Sequence, residues 1–86
     1  MCSHESFSLL RLRVVADADP SVITAVCQRF QNLNILPRRI CAEFGIDDRV
    51  NIEIDVCGVT TDQLSLIAGK ISQSPSIHHA HWHCLT

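Results

Sequence analysis

The stretch Val50–Val56, "VNIEIDV", alternates without a break. Val50, Ile52, Ile54 and Val56 fall on one side of an extended chain, and Asn51, Glu53 and Asp55 on the other. Strand side chains point to opposite faces with period two, so this segment reads as a strand with one buried face. That face needs a covering layer, and the backbone on either side needs partners. The rest of the chain must supply both.

Three further segments read as strands. Phe7–Val15 sends Leu10, Leu12 and Val14 one way and Leu9, Arg11 and Arg13 the other. Ile35–Phe44 is rich in β-forming residues but holds Pro37, which cannot donate to a ladder. It is therefore an edge strand, or begins after the proline. Ile77–Cys84, "IHHAHWHC", is the last strand. Two segments switch to helical spacing. Asp19 is a good N-cap before Pro20 at the first helical position, and Val22, Ile23, Val26, Cys27, Phe30 and Leu33 then recur as one stripe. Asn34 tolerates the left-handed conformation that would end this helix, which spans Pro20–Leu33. Thr60 with Gln63 makes a capping-box pattern ahead of Leu64, Ile67, Ala68 and Ile71.

The order is β-α-β-β-α-β. With each β-α-β half crossing over right-handed, it predicts an α+β ferredoxin-like sandwich, two helices on one face of a four-stranded antiparallel sheet. At 86 residues the chain reads as one domain, with an ordered core over about residues 7–84. A domain this small buries only ~60–65% of its unfolded surface, so association is a natural way to bury more. A homodimer or higher homo-oligomer is expected.

A hydrophobic share of 47% suits a folded protein and argues against disorder. The net charge of −2, without a basic run, gives no reason to expect a nucleic-acid or membrane partner. Cys2, Cys27, Cys41, Cys57 and Cys84 are odd in number and contain no C-x-x-C pair. They read as reduced thiols in a cytoplasmic protein, several acting as small core residues. The first residues, "MCSHESF", lack the regions of a signal peptide, and no apolar run approaches the ~20 residues of a membrane span.

Four of the five histidines lie between His78 and His83. Alternation places Ala80, Trp82 and Cys84 on the core side, and His79, His81 and His83 on the other, with Ile77. In a ferredoxin-like sheet that open face continues through Arg11 and Arg13 to Glu53 and Asp55. Three imidazoles in one row converge poorly on a metal, and adjacent arginines disfavour a cation, so no metal site is assigned. The seven residues Arg11, Arg13, Glu53, Asp55, His79, His81 and His83 form a candidate partner surface, against the simpler reading of cross-strand pairs. Histidine titration would make association through it pH-sensitive. The alternative is a histidine-based metal- or small-ligand-binding module. No nucleophile–base or paired-acid arrangement is visible, so neither an enzyme nor a cofactor is expected.

This fold hosts unrelated functions. The first loop, Asp17-Ala18-Asp19-Pro20, lacks the C-x-x-C of metal chaperones and the glycine and arginine of a phosphate cradle. The acidic open face of Val50–Val56 disfavours RNA. The segment "DADPSVITAVCQRFQNLNI" instead resembles the first helix of ACT domains, with Asp19-Pro20, Ile23, Val26 and Phe30 matching in kind and spacing. Asn34 stands where that family often has glycine, and "VNIEIDV" resembles the third strand of the shortest small subunits of acetohydroxyacid synthase. The resemblance implies a non-catalytic regulatory subunit that binds a larger catalytic subunit of amino-acid biosynthesis. It also implies an amino-acid effector region at Asp17, Ala18, Asp19, Ser21 and Asn34. The chain departs from the pattern there: Ser21 replaces the loop glycine, Ala18 and Leu36 fall where amide side chains are usual, and Asp17 and Asp19 would oppose a carboxylate.

Overall fold

A computed structural model describes residues 9–85. The elements follow the expected order: β1 (Leu10–Asp17), α1 (Pro20–Asn32), β2 (Arg39–Phe44), β3 (Arg49–Val56), α2 (Thr61–Ile71) and β4 (Ile77–Cys84). The four strands form one antiparallel sheet in the order β2-β3-β1-β4, the ferredoxin-like arrangement. β1 and β3 are central and set the register. Leu12 lies opposite Ile54, and Val14 opposite Ile52, so their apolar sides make one continuous floor.

The helices close that floor. Val22, Val26 and Phe30 of α1 and Leu64, Ile67, Ala68 and Ile71 of α2 are buried against Leu10, Leu12, Val14, Ile52 and Ile54. Both helices start where the sequence predicts. Asp19 Oδ1 accepts from the Ser21 N–H at 3.0 Å. At α2, Thr60 Oγ1 accepts from the Gln63 N–H at 3.0 Å, and Gln63 Oε1 accepts from the Thr60 N–H at 2.9 Å, completing the capping box. α1 ends as expected too, with Asn34 in the left-handed region at φ 60°.

Three departures matter. β1 runs two residues further than expected, to Asp17, and carries Ala16 into the core. Phe7, expected to open β1, lies outside the described residues. β2 begins at Arg39, after Pro37, and forms one edge of the sheet, as the proline predicts; its departure lies in exposure. Ile40, Ala42 and Phe44 pair with the core-facing Ile54, Ile52 and Val50, so they face the helix side. Yet Ile40 is 47% and Phe44 58% exposed. The two helices do not reach across to this strand.

The third departure is a bulge in β4. Pairing with β1 runs evenly from Cys84 to His79, opposite Leu10 to Val15, and then slips, with Ile77 opposite Ala16. His78 is the extra residue. One extra residue reverses the faces beyond it. Ile77, expected on the open face with the histidines, therefore packs against the core. Cys84 keeps its expected face, opposite Leu10, but is exposed there on the edge strand, whereas Ala80 and Trp82 pack against the core as expected.

Candidate functional site

The open face carries the charged residues that alternation sends away from the helices. Arg11 is opposite Asp55 on β3 and His83 on β4; Arg13 is opposite Glu53 and His81. The side chains form a connected network. Arg11 Nε and Nη2 donate to the two Asp55 oxygens at 2.7 and 3.0 Å, a two-pronged pair. Arg13 Nη2 lies 3.0 Å from Glu53 Oε2. Arg39 of β2, which sequence reasoning did not include, completes the row at 3.4 Å from Glu53 and 3.5 Å from Asp55. Its place follows from starting β2 after Pro37, since Arg39 then alternates onto the same face and falls opposite Asp55.

Asp55 is only 6% exposed. The hydrogen bonds from Arg11, with the nearby Arg11 and Arg39 charges, outweigh burial and hold its carboxyl below the usual carboxylate range. A buried carboxylate enclosed by its own chain offers little to a partner. Of the seven residues expected to form a partner surface, all lie on one face. Arg11, Arg13, Glu53 and Asp55, however, are engaged with one another.

The histidines form a ladder on the β4 edge. The rings of His79 and His81 are 4.6 Å apart between centroids, and those of His81 and His83 6.2 Å. Loss of solvation, then the neighbouring charges of His79, His83 and Arg13, push the His81 imidazole below its ordinary range. Among the described residues no group of three or more His, Cys, Asp or Glu side chains is arranged to hold a metal ion. His78, displaced by the bulge, leaves the ladder. Its Nε2 lies 2.7 Å from Asp17 Oδ1. No sequence signal marks this pair, because only the register slip brings the two together.

In the region expected to take an effector, several backbone donors are engaged within the chain. The Ala18 N–H donates to the Asp48 carbonyl at 3.0 Å, and the Asp19 N–H to the Asp17 carbonyl at 2.8 Å. Pro20 has no N–H, Asp19 holds the Ser21 N–H through its side chain, and the Val22 N–H donates to the Asp19 carbonyl at 2.9 Å. Asp17 is engaged by His78. The helix N-terminus thus has few donors left for a carboxylate. Asn34 does not join this region within one chain. It lies beyond the far end of α1, whose 13 residues span about 20 Å.

Cys27, Cys41 and Cys84 are free thiols, half-buried or exposed. Cys57 is disulfide-bonded, which corrects the expectation of reduced thiols throughout. Among the described residues no helix is long and apolar enough to cross a membrane.

Fold and surface together define a ferredoxin-like sandwich, ACT-like in its arrangement, with an edge strand that the helices leave open and an ion-paired open face. The C-terminal domain of the MgtC protein from Mycobacterium tuberculosis shares the fold with a TM-score of 0.76, at 22% identity over 95% of this chain and 92% of that one. The ACT domain of GTP pyrophosphokinase from Chlorobium tepidum matches with a TM-score of 0.76 at 13% identity, covering 91% of this chain and all of that domain. A homoserine dehydrogenase from Thiobacillus denitrificans contains the fold as well, with a TM-score of 0.74 at 16% identity over 94% of this chain, which spans 18% of the dehydrogenase. At these identities the likeness is one of fold. No family model matches the sequence, and no curated protein matches it.

Proposed function

We propose that this chain is a non-catalytic regulatory subunit of the ACT type. It pairs with a second copy along β2 and binds a larger enzyme of amino-acid biosynthesis, acetohydroxyacid synthase. The observation that carries the reading is the bare β2 edge. All six β2 residues are exposed, the helix-side Ile40 and Phe44 among them, and Leu36, ahead of the strand in sequence, is 88% exposed. An edge strand with open backbone groups and an apolar flank is a template for another strand. Pairing two copies there would extend the sheet to eight strands and cover both apolar flanks. The partner enzyme follows from the resemblance of "DADPSVITAVCQRF" and "VNIEIDV" to ACT small subunits. Support for a module attached to a larger enzyme comes from the same fold inside homoserine dehydrogenase and aspartokinase.

The subunit would act by binding one conformation of the enzyme better than another, and its effect equals that difference in affinity. We infer that it modulates by docking rather than through an amino-acid effector at Asp17–Ser21, a reading supported by the engaged backbone donors there. The test is capture of the catalytic subunit from native lysate by the tagged chain, followed by synthase assays with and without it. Recovery of a thiamine-diphosphate-dependent synthase whose rate changes on addition of the chain is expected. Failure to recover it sinks the partner assignment. Sedimentation of the isolated chain tests the pairing separately.

A further inference from the structure

The two helices meet over the sheet with a groove between them. It holds two cavities of about 210 and 200 Å³. The first has an aliphatic floor of Val22, Val26, Ile71 and Ile77. Both are bounded by the same two side chains, Arg29 of α1 and Lys70 of α2. Among the described residues neither cation makes an ion pair, and no Asp or Glu lines either cavity. In a chain of net charge −2, two uncompensated cations therefore converge on one apolar groove.

Each cation sits in the last turn of its helix, where the helix dipole favours positive charge. That accounts for each one alone. It does not require the two to border the same cavities from different helices. The bulge at His78 contributes as well, since it turns Ile77 from the open face into the groove.

We propose that this groove binds a small aliphatic carboxylate that carries no amino group. The carboxylate lies between Arg29 and Lys70, and the hydrocarbon tail lies on Val22, Val26, Ile71 and Ile77. Charge complementarity sets the sign of the ligand, and a carboxylate paired with two cations is strongly oriented. The lining sets the rest: among the described residues no carboxylate borders the groove, so an ammonium group would stand beside two cations with no opposite charge to offset them, which is costly. Cavities of this size fall below the ~300–1,000 Å³ of pockets for drug-sized ligands, which limits the occupant to a small molecule. The site lies on the helix layer, apart from β2 and the open face, so it stands whether or not the proposed partner enzyme is correct.

The experiment is methyl-detected NMR of the full chain titrated with isocaproate. Leucine, which adds an amino group to the same skeleton, and isohexanol, which removes the carboxylate, serve as controls. Saturable shifts of the Val22, Val26, Ile71 and Ile77 methyls are expected with isocaproate. Leucine and isohexanol should bind at least tenfold more weakly. The double variant Arg29→Gln, Lys70→Gln should weaken isocaproate at least tenfold while keeping the native spectrum elsewhere, because both side chains are exposed. No saturable shift at millimolar isocaproate overturns the proposal. So does equal binding of leucine, or binding indifferent to the double variant.

Discussion

His81 lies between His79 and His83 on its own strand and beside Arg13 on the next, with Glu53 paired to that arginine. Its imidazole is held below the ordinary value near ~6.5, so the unfolded chain takes up that proton before the folded one does. The linked stability is full above ~6.5 and is lost as pH falls through the lower folded value. The urea midpoint should therefore be lower at pH 5 than at pH 7.5, and His81→Gln should narrow the gap. An unchanged gap would remove His81 from the account. Asp55 acts in a more acidic window. Its carboxyl is held below the usual range, so its stabilisation persists above ~3.9 and disappears on further acidification. A third expectation belongs to Thr60, whose side chain holds an N–H of the first turn of α2. Thr60→Ala should cost about 1 kcal/mol in chemical denaturation.

Among the elements, β2 and β4 behave as edges in different ways. β4 is packed by α2, and Trp82 Nε1 donates to Ser65 Oγ at 3.0 Å across that contact. Among the described residues β2 has no such cover. Lysine is the common means of blunting an exposed edge, and replacing Ile40 and Phe44 together by lysine applies it here. Both are already exposed, so the change should alter monomer stability by less than about 0.5 kcal/mol each. Sedimentation should shift from a dimer to a monomer. A native sequence that sediments as a monomer at high concentration would contradict the pairing. The bulge shows how far one residue reaches at this scale. His78 leaves the histidine row, Ile77 joins the core, and Asp17 gains a partner, all from one inserted position.

At the scale of the whole molecule, one sheet floor and two helices share a single thin core. Leu12 and Ile54 are opposite one another at its centre, and both are fully buried. Domains of this size are stable by roughly 5–10 kcal/mol. Leu12→Ala should remove about 2–5 kcal/mol through lost contacts and the cavity left behind. The expected result is a large fall in melting temperature, read by circular dichroism. A fall of only a degree or two would mean that this core tolerates collapse around the gap.

Alternation in β1 and β3, the stripes of α1 and α2, and the caps at Asp19, Thr60 and Asn34 were all legible in the sequence. They are local: each depends on residues within one or two turns or on a period of two. They were enough to determine the element order and hence the fold. The open-face grouping of Arg11, Arg13, Glu53, Asp55, His79, His81 and His83 followed from the same periodicity. What periodicity does not carry is register and cover. Only the tertiary structure decided that β4 slips by one residue at His78, that Asp55 is enclosed by Arg11 and Arg39, and that the helices leave β2 bare. Only it brought Arg29 and Lys70, 41 positions apart, to one groove. These are pairings between distant segments, and their energies depend on packing in three dimensions that no local pattern encodes.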